Sequence, residues 1–196
     1  MIHHNKHTPT DWQEETERRV AKGIALFKQG YNCSQAVTLA FADWYGVPEG
    51  LMARMAASFG GGIGRMRETC GTASGMFMLA GLEIATEEPD QEVKAQNYKA
   101  VQQLAAMFKE QTGSLICREL LKNYVRNASL RNRTHESATL ARARNDASAD
   151  ENEKNVVSTD PTPEARTDEY YKKRPCVKMV ELAIRTYMKW LYDTKD

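Results

Sequence analysis

Each of the four cysteines stands at the head of an apolar stripe with helical spacing, and that placement constrains the fold more than any other feature of the sequence. Cys33 follows Asn32 and is in line with Val37, Phe41 and Trp44. Cys70 follows Thr69 and leads to Ala73 and Phe77, and Cys117 lies three residues after Ser114 and leads to Leu120, Leu121 and Tyr124. Cys176 follows Pro175 and leads to Val180, Ile184 and Tyr187. Positions three, four and seven residues apart share one face of a helix, so every one of these sulfurs is expected to point inward at a helix end. Asn, Thr and Ser are natural N-caps and Pro fits the first helical position. In a first turn, free N–H groups and the helix dipole favour the thiolate, which is the form that attacks disulfides and ligates metals.

The remaining chain is patterned in the same way. Helices are expected from about Thr10 to Lys28, Cys33 to Tyr45, Glu49 to Ser58, Cys70 to Ala85, Asp90 to Thr112, from Ser114 onward, and from Pro175 to Tyr192. Gly30 and Gly113 close the first and fifth of these. Gly71, Ala73, Ser74 and Gly75 give the fourth a small-residue face that another backbone can approach. Residues 60–64 are too rich in glycine for regular helix. Between about Asn127 and Thr167 the apolar residues thin out, so this stretch is read as a polar, mobile insertion that fills little core and lies away from the cysteines, with a helix around residues 136–144. No alternating strand pattern appears. The expected fold is all-α: a single-domain multi-helix bundle over residues 1–196, with 9–126 and 170–193 as ordered core and the polar insertion before the last helix.

Composition excludes several functions. A net charge of +1 over 196 residues offers no basic field for nucleic acid. The N-terminal residues lack the apolar run of a signal peptide, and no uncharged stretch is long enough to span a membrane. A cytoplasmic protein with reduced thiols is expected, where gathered cysteines serve redox chemistry or metal binding more often than structural disulfides.

Segments of this chain together resemble a known family. Asn32-Cys33-Ser34-Gln35-Ala36-Val37, Phe59-Gly60-Gly61-Gly62-Ile63-Gly64-Arg65 and Cys70-Gly71-Thr72-Ala73-Ser74-Gly75, followed by Cys117 and Cys176, are similar in order and spacing to the C_GCAxxG_C_C family. That family is named for its own cysteine pattern and is suspected of redox activity without an assigned substrate. The chain departs from the name at Thr69, which precedes Cys70, and at Gly71, which follows it. The resemblance implies a mostly helical redox protein. Some members carry selenocysteine, which suits thiol chemistry, and a related domain in split-Soret cytochromes has been linked to an iron–sulfur centre.

Two chemistries follow for Cys33, Cys70, Cys117 and Cys176. They cycle between dithiol and disulfide, as in a thiol-dependent oxidoreductase with an unknown redox partner, or they ligate a metal or an iron–sulfur cluster. The cysteines lie roughly 40–60 residues apart, so no local chelate exists and the fold must assemble any shared site. A helical scaffold whose cysteines only pack is the third reading. Arg65, Arg67, Arg118 and residues 172–174 are cations close to these sulfurs in sequence. Gly61, Gly62 and Gly64 are candidates for holding a cofactor through backbone N–H groups, although the run lacks the Gly-Lys-Ser/Thr ending of a P-loop. Met52, Met55, Met66, Met76 and Met78 are expected to fill core gaps. His3, His4, His7 and His135 suggest no site, and no Cys-x-x-Cys-His motif for covalent haem is present.

Overall fold

The computed structural model describes residues 11–133 and 157–194. Among them are eight α-helices and no strand. These are α1 (Trp12–Lys28), α2 (Cys33–Leu39), α3 (Glu49–Ala56), α4 (Gly71–Ile84), α5 (Gln91–Thr112), α6 (Cys117–Arg133), α7 (Asp168–Lys173) and α8 (Cys176–Asp193), with a 3₁₀ turn at Ala57–Phe59. The all-α expectation holds, and the short α7 was not anticipated. The notion of a helix near residues 136–144 lies outside the described residues.

Local chemistry sets most boundaries. Asp11 caps α1 by accepting from the N–H groups of Gln13 and Glu14 at 2.8 and 3.0 Å. Asn32 forms a full capping box with Gln35 at the start of α2. Gly113 ends α5 at φ 84°, a left-handed conformation that glycine adopts without steric cost. Two starts differ from expectation. Cys70 is itself the N-cap of α4, and α6 begins at Cys117, not at Ser114, whose Oγ instead accepts from Ile116 N–H at 2.9 Å.

α1 packs on α8, α2 on α4, and α4 on α5, around a core that includes Phe27, Val37, Phe41, Met76, Leu79, Leu104, Phe108 and Ile184. Burial of each such side chain contributes about 1.5–3 kcal/mol. The small-residue face of α4 does what its composition suggests. A Cβ on Gly71 would sit 3.1 Å from Cys33 Cβ and 2.7 Å from the Phe59 carbonyl, and one on Gly75 would sit 2.9 Å from Val37 Cβ. α2 and α4 therefore meet almost backbone to backbone, which brings Cys33 and Cys70 to the same end of the pair.

α2 stops at Leu39, and residues 40–46 continue as turns. Arg19, only 2 % exposed, organises that turn region. It bonds Ala40 O at 2.5 Å, Asp43 at 3.0 and 3.2 Å and Glu15 at 2.6 Å, and its guanidinium lies 4.9 Å from the Phe41 ring centroid. Not all methionines are core. Met52 and Met76 are buried, whereas Met55 and Met66 are exposed because they fall outside the buried face of their segments.

Candidate functional site: a cavity lined by four cysteines

Residues 59–70 link α3 to α4 through a tight, strained loop. Gly61, Gly62, Ile63, Gly64, Arg65 and Arg67 all have positive φ, between 55° and 75°. This is costly for Ile63, whose branched side chain disfavours the left-handed region. Backbone bonds hold the loop: Gly64 N–H donates to Ser58 O at 2.7 Å, Arg67 N–H to Gly61 O at 3.2 Å and Glu68 N–H to Gly62 O at 3.1 Å. The loop then fastens two cysteines. Cys70 N–H donates to Leu115 O and Cys117 N–H to Glu68 O, each at 2.7 Å, around the Thr69–Ile116 bridge. Gly62 is required by contact as well as by φ, because a Cβ there would lie 2.7 Å from Cys117 Cβ and 2.8 Å from Glu68 N.

Cys33, Cys70, Cys117 and Cys176 all line one cavity of about 290 Å³. The starts of α2, α4, α6 and α8 thus meet around a common volume. Gly61, Gly62 and Gly64 also line it, but Gly64 N–H is committed to Ser58 O and Gly61 N–H faces the Cys33 sulfur. Their visible role is to let the chain pass close to the thiols.

All four cysteines are unpaired. Cys70 and Cys117 are buried, and Cys33 and Cys176 are half-buried. Three of the thiols are pushed the opposite way from the thiolate expectation. The Cys33 thiol is raised well above its ordinary value, first by the neighbouring Cys176 sulfur and then by burial, with Arg166 and the Gly61 N–H opposing. Burial pushes Cys70 up to about 11, aided by the charge of Cys33 and opposed by the Thr72 hydroxyl and the first-turn N–H groups. Burial also pushes Cys117 up to about 12, with Cys70 and Cys33 adding to it and Arg67 opposing. The helix-end N–H groups do favour thiolate, but removal from water and the crowding of four sulfurs outweigh them.

The cations expected near the sulfurs divide. Arg65, Arg67 and Arg174 line the cavity, while Arg118 is half-exposed and pairs with Glu68 at 2.6 Å, and Lys172 and Lys173 are exposed. Residues 157–167 overturn the expectation that the polar stretch lies away from the site. Pro161, Pro163, Glu164 and Arg166 line the cavity. Arg67 Nε donates to Ser158 O at 2.8 Å and Arg65 Nε to Asp160 O at 2.5 Å, and Glu164 pairs with both Arg65 and Arg174. Hydrogen bonds from Arg65 and Arg67 to backbone carbonyls, with the Glu164 ion pairs, strap this segment over the thiols, and hydropathy does not register them. Arg166, missed in the sequence, stacks 4.1 Å from the Phe27 centroid and donates to Tyr31 O at 3.3 Å. The closely spaced Pro161 and Pro163 were the available signal for an ordered extended segment.

A sequence model of the family described as "Putative redox-active protein (C_GCAxxG_C_C)" matches residues 31–190. The chain belongs to this family. The match takes in all four cysteines, the glycine loop and the strap. No curated protein matches the chain, and no solved structure does. Among the described residues no helix is long and apolar enough to cross a membrane.

The donor set bears on what the cavity suits. Among the described residues no three His, Cys, Asp or Glu side chains converge closely enough to hold one metal ion. The four sulfurs surround a volume and do not focus on a point. A thiol pair needs no such focus, and an iron–sulfur cluster offers its irons at separate points, so both remain compatible with this geometry. The buried Nη2 of Arg67 and Nη1 of Arg166, on residues lining the cavity, meet no hydrogen-bond acceptor, which favours a negatively charged occupant over a neutral one.

Proposed function

We propose that this member of the family is a thiol–disulfide redox protein whose working pair is Cys33 and Cys176. What supports this reading is that Cys33 and Cys176, 143 positions apart in sequence, are the two half-buried thiols of the cavity wall, close enough for Cys176 to be the first cause of the raised Cys33 thiol. In this reading Cys176, at the start of α8, supplies the attacking sulfur and Cys33 resolves. Oxidation of the pair forms one S–S bond and releases two electrons and two protons to an acceptor. Cys70 and Cys117 are less accessible to a partner than this pair, being buried. Their place is to border the cavity and exclude water.

Single Cys→Ser variants test the reading by thiol titration and mass spectrometry under mild oxidant. Cys176→Ser should abolish disulfide formation, and Cys33→Ser should trap a sulfenic acid or mixed disulfide at Cys176. Equal behaviour of all four variants would contradict it.

A second reading is favoured by the fact that the four sulfurs share one cavity. Cys33, Cys70, Cys117 and Cys176 would then hold an iron–sulfur cluster, which when bound supplies one-electron transfer. Arg67 and Arg166 would offset its negative charge, and Leu120 and Leu121 would keep water from it. Anaerobic purification with an absorption spectrum and iron and sulfide analysis separates the two readings.

A further inference from the structure

Among the described residues, four guanidinium groups and a single carboxylate line the cavity: Arg65, Arg67, Arg166, Arg174 and Glu164. Glu164 is engaged by Arg65 at 3.6 Å and by Arg174. Arg67 and Arg166 instead donate to the carbonyl oxygens of Ser158 and Tyr31 and bear on the Cys117 and Cys33 thiols, and no carboxylate among the described residues pairs with either. Arg67 is 3 % exposed, and its Nη2 is buried with no acceptor, as is Nη1 of Arg166. Buried guanidinium donors left unmatched in this way are rare in folded proteins, and a charged donor is the costliest kind to leave unmet. The starts of three long helices, α4, α6 and α8, face the same volume and add positive potential.

We propose that the cavity binds a small oxyanion between Arg67 and Arg166, and that a reducible oxyanion is the electron acceptor of the Cys33–Cys176 pair. Several acceptor oxygens around one centre allow a single ligand to meet donors arriving from the glycine loop and from the strap at once. The acceptor assignment rests on the dithiol reading above. In the step, the two S–H bonds break and one S–S bond forms. One oxygen leaves the oxyanion as water, taking both protons, and the central atom gains two electrons. The cysteines are oxidised and the oxyanion is reduced.

The probes are phosphate, which has the shape but is not reduced, and arsenate, its reducible analogue. Calorimetry of reduced, metal-free full-length protein should show phosphate binding that falls at least ten-fold in Arg67→Met and in Arg166→Met, with Arg67→Lys intermediate. Circular dichroism establishes that each variant is folded, and the Arg166 variant keeps the test open if Arg67→Met is not. Arsenate should yield one arsenite and one Cys33–Cys176 disulfide per chain. Absence of phosphate binding, or binding in both Met variants as strong as in the unmodified chain, overturns the inference. So does Arg67-dependent phosphate binding while arsenate leaves the thiols untouched, or a cavity filled by a cluster in the isolated protein. Disulfide formation with diamide in the absence of any phosphate binding would overturn this inference alone. Failure of every oxidant to link Cys33 to Cys176 would instead remove the dithiol reading.

Discussion

The four thiols differ because their surroundings differ. With Cys70 at about 11 and Cys117 at about 12, the thiolate fraction at pH 7 is about one in ten thousand or less. Iodoacetamide at neutral pH should therefore label both far more slowly in the folded chain than after unfolding, as counted by mass spectrometry. The same shifts set a pH dependence. Both folded pKa values lie above the ordinary value of 9.0, so the unfolded chain loses these protons first as pH rises. Stability from these groups is fully present below about pH 9 and declines as pH climbs through about 11 and 12. Guanidinium unfolding midpoints between pH 8 and 11 should show the decline, less steeply in Cys70→Ser. Gly62 is the other residue whose environment dictates its chemistry. Gly62→Ala should cost about 1–3 kcal/mol in denaturant unfolding, through both its positive φ and the contact with Cys117.

At the scale of elements, what was legible in the sequence is what is encoded locally. The Asn32 cap, the Gly113 stop and the packing face of α4 depend on residues within a turn or two, and periodicity reveals them. The strap at 157–167 was not legible, because its anchors lie about ninety positions away on the glycine loop. Hydropathy gives no sign that the backbone carbonyls of Ser158 and Asp160 accept from Arg67 and Arg65, or that the Glu164 carboxylate answers Arg65 and Arg174. Glu164→Gln removes the carboxylate that both Arg65 and Arg174 engage. It should leave the helical signal by circular dichroism unchanged while raising the alkylation rate of Cys33 and Cys176 several-fold. An unchanged rate would show that the strap is held independently of that pair.

Across the whole molecule, the sequence placed the cysteines at helix starts but could not say that the starts meet. That depends on α2 and α4 meeting at Gly71 and Gly75, and on the exchange of backbone bonds that draws Cys117 toward Cys70. The thiolate expectation fails at Cys33, Cys70 and Cys117 for the same reason: convergence buries these sulfurs and sets them against one another, an effect invisible in any single segment. The central claim is that this convergence makes Cys33 and Cys176 a redox pair. Its most direct measurement is peptide mapping of the reduced, metal-free chain after one equivalent of diamide. A single intramolecular disulfide linking the Cys33 and Cys176 peptides is expected, with Cys70 and Cys117 recovered as free thiols. A dominant disulfide involving Cys70 or Cys117, or four thiols that remain reduced, would contradict it.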